Sequence, residues 1–172
     1  MGISLEMFCK LYKANAKAKD KTFEDFIKKH ITTDYVNFLN KEVICTSIIN
    51  TTCHTNTDDR KITKINSSSR YIFFIMKMIE TYTDIEIDIE KHPLDYYYDE
   101  LNKIGAIDVL VNAIPEKEYA EFSTLLDMKL DDFINNEYSI TALLYNLKES
   151  FSISEEVINS VIEEIKKQAN EE

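Results

Sequence analysis

The stretch SSSRYIFFIMKMIETY, residues 67–82, contains the longest apolar run of the chain, YIFFIM at residues 71–76. Its serines can accept hydrogen bonds from the first free N–H groups of a helix. The side chains that follow are apolar almost all round a helical wheel, which is typical of a helix that other helices enclose. We therefore predict that residues 70–82 form the centre of a helical core.

The low glycine and proline content extends this prediction to the whole chain. Only two glycines and two prolines occur among 172 residues, so a β-sandwich or a Gly-rich phosphate loop is not expected. A chain of this length can bury about 70% of its unfolded surface in one core. We expect a mainly α fold: a compact bundle of about seven or eight helices, in a single domain over residues 1–172, with a frayed tail at residues 168–172.

Helix boundaries are predicted from capping residues. Thr33 or Asp34 is expected to begin a helix through VNFLNKEVICTSII, residues 36–49. Its apolar positions are too many for one narrow stripe, so we predict that this helix is central. Gly105 is expected to end a later helix in the left-handed conformation. Two more helices are predicted near the end of the chain, after Ser139 and after Ser152.

An alternating acidic and apolar pattern follows the apolar helix, in YTDIEIDIEKHP at residues 82–93. In an extended chain its four carboxylates would project from one face about 6.8 Å apart, at twice the ~3.4 Å rise of a strand. That spacing is too wide for one ion to contact all of them, and calcium loops usually need a glycine that this stretch lacks. We predict no metal site here, and a bound cation is the alternative. The four carboxylates are Asp84, Glu86, Asp88 and Glu90.

The same pattern indicates a short edge strand. Its isoleucines, Ile85, Ile87 and Ile89, are predicted to be buried while the carboxylates stay in water. RKITKI, residues 60–65, carries lysines that suit this partner, although opposite charges across strands contribute only ~0.2–1 kcal/mol. We predict a two-stranded β flap of residues 60–65 with 84–90. Polar residues without clear periodicity surround the first strand, so residues 51–69 are predicted to be a flexible loop.

Charge is distributed unevenly along the chain, whose formal net charge is −11. Residues 1–70 carry 12 Lys and Arg against 8 Asp and Glu, whereas residues 71–172 carry 8 against 23. The acidic part should repel phosphate backbones and anionic lipid, so neither direct nucleic-acid binding nor membrane association is expected. Because no signal peptide or membrane-spanning run is recognised, we expect a cytoplasmic location.

Residue patterns of well-known chemistries are missing from the sequence. HExxH, ExxH, GxSxG and a Walker-type glycine loop do not occur, so the usual residues of zinc, di-iron, esterase and NTP chemistry are lacking. Three cysteines without CxxC spacing indicate reduced thiols. We predict no enzyme activity, no cofactor and no metal. An enzyme would need a pocket that gathers Cys53, His54 or the carboxylates.

A protein-contact surface is the remaining interpretation. Tyr97 and Tyr98 fit the buried stripe of the helix predicted after Pro93, which leaves Tyr96 as a spare amphipathic ring of the kind enriched at interfaces. Acidic positions near residues 84–90 and on the outer side of a later helix could add to it. The candidate interaction surface comprises Tyr96, Asp84, Glu86, Asp88, Glu90, Glu121, Asp127, Asp131 and Asp132.

Three runs of the chain resemble small helical proteins encoded by tailed phages and prophages of Gram-positive bacteria. They are KKHITTDYV at 28–36, YIFFIMKMIETYTDIEIDIE at 71–90 and DELNKIGAIDVLVNAIPEKEYAEFSTLLDMKLDDFINNEYS at 99–139. The resemblance covers about residues 25–140 and rests on overall pattern. It implies a role in virion assembly or structure and implies no catalytic residue.

The resemblance also implies the partners and the place of action. Other phage or host proteins are expected as partners, and further copies of the chain, in a homo-oligomer, are the alternative partner. The protein is expected in the host cytoplasm or as part of the virion. The alternative function is a phage-encoded inhibitor of a host defence protein, which would use its acidic surface as a nucleic-acid mimic.

Overall fold

The computed structural model of the chain describes residues 2–17, 21–55, 63–138, 156, 157, 159–161 and 163. It confirms the prediction of a mainly α bundle with a small β component. Residues 156, 157, 159–161 and 163 are helical, and the described residues up to 138 form seven helices before them. Those seven are α1 Leu5–Asn15, α2 Lys21–His30, α3 Phe38–Thr52, α4 Ser67–Tyr82, α5 Leu94–Lys103, α6 Ala106–Ala113 and α7 Glu116–Tyr138.

Helix α4 occupies the centre of the bundle, as its sequence predicts. It packs against α3, α5 and α6, while α3 also packs along α7. Tyr71 is an exception to the all-round burial expected of this helix, because its side chain is exposed and meets the ring of Tyr98 edge-on. The buried side chains of α4 are Phe74, Ile75, Met76, Met78, Ile79 and Tyr82.

Helix α3 begins later than predicted. Asn37 is its N-cap and accepts a hydrogen bond from the Asn40 N–H at 3.0 Å. The hydroxyl of Thr33 is used instead in a local turn, where it accepts from the N–H of Tyr35 and donates to its carbonyl. Thr33 and Asp34 therefore do not begin the helix, because residues 35–37 before it are not helical and Asn37 is extended.

The left-handed glycine predicted at the end of a helix is confirmed. Gly105 has φ +70° and joins α5 to α6. Its carbonyl accepts a hydrogen bond from the Tyr12 hydroxyl at 3.0 Å, which ties α1 to this turn.

The two stretches predicted to pair as one flap are both partly extended, but each has a different partner. Among the described residues, four short strands form two pairs: β1 (Ile3–Ser4) lies parallel to β4 (Ile85–Glu86), and β2 (Cys53–Thr55) lies antiparallel to β3 (Thr63–Ile65). The predicted pairing of 60–65 with 84–90 is therefore wrong. Strands that are close in sequence lose less entropy on closing the loop between them, so β3 pairs with the strand just before it.

The predicted loop over residues 51–69 is too long at both ends. Helix α3 extends through Thr52, strands β2 and β3 follow, and α4 begins at Ser67 with Asn66 as its cap. The central residues 56–62 lie outside the described part of the chain, as do the tail at 168–172 and most of the helices predicted after Ser139 and Ser152. Flexibility of the loop and fraying of the tail remain predictions.

One hydrophobic core connects all seven helices between residues 5 and 138. Across the described part of the chain, no helix has both the length and the apolar character needed to cross a bilayer. That the full 172 residues form one domain stays a prediction.

Candidate protein-contact surface

A buried ion pair lies between α3 and α7. The side chain of Lys41 is 1% exposed, and its Nζ donates to Glu118 Oε1 at 2.9 Å and to Glu121 Oε2 at 2.6 Å. The second oxygen of Glu118 accepts from the Val36 N–H at 3.0 Å and from the Tyr82 hydroxyl at 2.5 Å. Three donor groups thus make four hydrogen bonds to the two carboxylates, which makes burial of Lys41 and Glu118 tolerable.

The protonation states of this network follow from its geometry. Burial opposes the charged form of Glu118, but hydrogen bonds from Tyr82 and Lys41 outweigh it, so the pKa of this carboxyl lies below its usual range. Burial likewise opposes the ammonium of Lys41, yet its hydrogen bonds to Glu121 and Glu118 raise the pKa. Burial and the neighbouring Glu118 raise the pKa of Tyr82. At neutral pH Lys41 is therefore an ammonium, Glu118 a carboxylate and Tyr82 a neutral phenol.

Burial of Lys41 fixes the rotation of α3 about its own axis. Cys45, Ile48 and Thr52 are buried on the same side of the helix, at spacings of four, seven and eleven residues from the lysine. Leu39 and Val43 lie one turn apart on the other side and are 69% and 66% exposed. The helix thus buries a lysine and exposes aliphatic side chains, the reverse of the usual arrangement.

We call the exposed apolar group at the start of α3 the α3 surface; it consists of Tyr35, Phe38, Leu39 and Val43. All four side chains are at least half exposed. Tyr35 and Val43 line the same open depression of about 370 Å³. The Tyr35 ring also lies 5.4 Å from Nζ of Lys41, so it covers the buried ion pair from outside.

Carboxylates follow the edge of the α3 surface that faces α7. Glu42, the residue before Val43, accepts a hydrogen bond from Lys129 at 2.9 Å. The hydrogen bond to Glu42 is the main cause that raises the pKa of Lys129, and the nearby charge of Asp132 raises it further. Glu121 and Asp132 are eleven residues apart and share one side of α7. Lys41 and Lys129 pair with Glu121 and Glu42, so among these described residues Asp132 adds a carboxylate beyond the two ion pairs.

The four acids of residues 84–90 do not form one exposed face. Asp84 is held by His30, whose Nδ1 lies 2.8 Å from Oδ1 of the carboxylate. Asp88 accepts from Lys91 at 2.7 Å and from the N–H of Glu90, and this pairing with Lys91 lowers the pKa of Asp88. Within residues 84–90, only residues 85 and 86 form a strand. Asp84 and Asp88 thus have different partners, because the chain turns after the strand and the carboxylates no longer share one face.

The isoleucines of this stretch differ from the prediction in one position. Ile85 is buried and Ile87 is half-buried, but Ile89 is 68% exposed because it lies in the turn before α5. Glu86 projects beside Gly2, where an added Cβ would lie 2.5 Å from the Glu86 Cγ.

Tyr96 does lie near two of the predicted acids. Its ring stacks on His92 with centroids 4.2 Å apart, and it lines a pocket of about 240 Å³ together with Glu86 and Asp88. Glu6 lines the same pocket from α1. The side chain is only 36% exposed, so the ring is partly used within the molecule.

The remaining predicted acids lie on α7. Asp127, Asp131 and Asp132 are exposed, whereas Glu121 is partly used by the buried lysine. The candidate surface predicted from sequence is therefore divided between two places, residues 84–96 and α7. Among the described residues, no three His, Cys, Asp or Glu side chains come together as a group that could hold a metal ion.

The α3 surface itself was not predicted from the sequence. VNFLNKEVICTSII was expected to be central because its apolar residues surround the helix, and burial of its lysine was not foreseen. One signal was present: Lys41 has the same helical spacing as Cys45, Ile48 and Thr52. A lysine in register with an apolar stripe indicates that another apolar group of the helix faces outwards.

Comparison with known proteins gives no relative: the chain matches no family model, no curated protein and no solved structure.

Proposed function

We propose that this protein is non-enzymatic and acts through protein–protein contacts, as an assembly factor or structural component of a tailed phage. The α3 surface supports the contact role. Leu39 and Val43 are about two-thirds exposed on a helix whose inner side holds a buried ion pair. Covering side chains of this size is worth about 1.5–3 kcal/mol each, so a partner that covers the surface gains several kcal/mol.

The phage context is supported by the resemblance of residues 28–36, 71–90 and 99–139 to small phage and prophage proteins. In that context the protein acts in the host cytoplasm or within the virion. Head or tail proteins of the same phage are then its first expected partners.

The experiment compares two double variants expressed with a tag in a Gram-positive host that produces the phage. Leu39→Ser/Val43→Ser removes the centre of the α3 surface. Met7→Ser/Ile89→Ser is the matched control, because both side chains are at least half exposed elsewhere on the molecule. Exposed substitutions of this kind change stability by only about 0.5 kcal/mol, so both variants should fold.

We expect virion proteins to co-purify with the wild-type chain and with the Met7/Ile89 variant, but not with the Leu39/Val43 variant. Recovery of the same virion proteins with both variants would show that the α3 surface is not the contact site. Absence of virion proteins from all three samples would overturn the assembly role.

A second function is favoured by the charge of residues 71–172, which carry 23 acids against 8 basic residues. An inhibitor of a host defence protein could present these carboxylates where phosphates would bind. Asp127 and Asp131, both exposed on α7, would belong to such a surface. This function predicts capture of a basic host nuclease or regulator, competition by DNA, and steep loss of binding as salt rises.

A further inference from the structure

From the α3 surface and its acidic edge we infer the chemistry of the partner: a basic amphipathic helix. Its apolar side chains would pack on the α3 surface, and its Lys or Arg side chains would lie against α7. This inference rests on the proposed contact function and adds the class of segment that the surface recognises.

The shape of the surface favours a helix. Leu39 and Val43 are one turn apart and form a short ridge, and the depression lined by Tyr35 and Val43 lies beside it. A ridge with that spacing fits the groove between side chains at three- and four-residue spacing on another helix. On the α7 side, Met128 is 59% exposed and shares one side of α7 with Glu121, which extends the apolar area.

Charge decides between the candidate occupants. Along the α7 edge, Lys129 pairs with Glu42, and Lys41 is shared by Glu118 and Glu121. Asp132, near Lys129, is the fourth carboxylate against these two ammonium groups, so the edge keeps an acidic excess. A second copy of the chain would bring the same carboxylates and a net charge of −11 towards them. Nucleic acid and anionic lipid would be repelled for the same reason. A helix with a basic polar face complements the edge, which favours its association and orientation.

The test uses two labelled model peptides of about 18 residues, a length at which a helix can form. Both carry the same leucine stripe at helical spacing. One has lysine on its polar face and the other has glutamate. Binding to the intact chain is measured by fluorescence anisotropy at low salt and at about 0.15 M salt. Light scattering on the chain alone measures self-association.

We expect the lysine peptide to bind the wild-type chain at least about tenfold more tightly than the glutamate peptide. Leu39→Ser/Val43→Ser leaves the charge unchanged and should weaken binding of the lysine peptide by about tenfold or more. The matched control Met7→Ser/Ile89→Ser should stay within about twofold of wild type. Asp132→Asn should weaken binding and reduce its dependence on salt.

Several results would overturn the inference. These are equal affinity for the two peptides, no binding of either peptide, and lysine-peptide binding that Leu39→Ser/Val43→Ser leaves unchanged. A dimer that depends on Leu39 and Val43 would show that the surface binds a second copy instead.

The two proposals fail in distinguishable ways. Virion proteins that co-purify through the α3 surface, together with peptides that do not bind, would overturn the basic-helix partner and leave the assembly role intact. Tight and Leu39-dependent binding of the lysine peptide, without any virion protein in the co-purification, would overturn the assembly role alone.

Discussion

Replacing Lys41 by methionine should destabilise the protein by about 3–5 kcal/mol, because it leaves a buried carboxylate without its ammonium. Lys41 is 1% exposed and lies 2.9 Å from Glu118, which is itself 4% exposed. After the change, Glu118 keeps the N–H of Val36 and the hydroxyl of Tyr82 as donors. Those hydrogen bonds do not neutralise its charge. A domain with about 5–15 kcal/mol of stability would lose a large part of it.

The assay is urea unfolding followed by far-UV circular dichroism. Lys77→Met is the matched control, since Lys77 pairs with Glu80 at 2.6 Å on the surface of α4 and its side chain is 33% exposed. Loss of such an exposed pair should cost at most about 1 kcal/mol. The double variant Lys41→Met/Glu118→Gln should be more stable than Lys41→Met alone, because the amide still accepts hydrogen bonds but carries no charge.

The pH dependence of this prediction has a definite sign. In the wild type the pKa of Glu118 is lowered, so its contribution to stability is present above the ordinary glutamate pKa of 4.5 and is lost as pH falls through the lower folded value. In the Lys41→Met variant the pKa of Glu118 should rise, so the difference from wild type should be largest at neutral pH and shrink in acid. A Lys41→Met variant that loses no more stability than Lys77→Met would refute the reasoning.

Three further predictions concern other parts of the fold. Tyr82→Phe removes the hydroxyl that donates to Glu118 and should cost about 1–3 kcal/mol in urea unfolding, and an unchanged midpoint would contradict the buried hydrogen bond. Gly105→Ala should destabilise the protein by about 1 kcal/mol because the residue has φ +70°, and an added Cβ would meet no other atom within 4 Å, so the cost comes from the backbone alone. Gly105→Asn should cost less, and equal stability of the wild type and both variants in urea unfolding would argue against backbone strain. Burial raises the pKa of Cys45 to about 11, so its thiol should resist alkylation at pH 8 in the folded protein, and the half-buried Cys9 should react first. Mass spectrometry of the labelled peptides measures the order of reaction, and the difference between the two thiols should disappear in urea.

The α3 surface shows why a helix can be predicted without knowing which way it faces. The sequence of α3 has apolar residues on nearly all sides, so its periodicity indicates a helix but not a buried face. Lys41 turns inward only because Glu118, 77 residues later in the chain, lies opposite it. That contact leaves Leu39 and Val43 in solvent. A prediction based on local spacing could not include it.

The acidic stretch after α4 is a second case. Alternation of Asp or Glu with Ile indicates an extended chain, and residues 85 and 86 are indeed a strand. Its partner is Ile3–Ser4, and Asp84 is bound by His30, 54 residues earlier in the chain. Short strands have little sequence signal to select a partner. Backbone hydrogen bonds join the end of α2 to the end of α4, between Thr32 and Tyr82 and between Asp84 and His30, and Ile3 donates to the Asp84 carbonyl beside them. These long-range contacts decide the pairing.

The sequence by itself determined the helical class of this protein, the central place of α4 and the left-handed turn at Gly105, because periodicity, low glycine content and a flexible backbone position are local properties. Only the tertiary structure decided which strands pair, which acids are neutralised and which side of α3 is exposed. Those outcomes depend on contacts between residues far apart in the chain, such as Lys41 with Glu118, whose energies no local pattern contains.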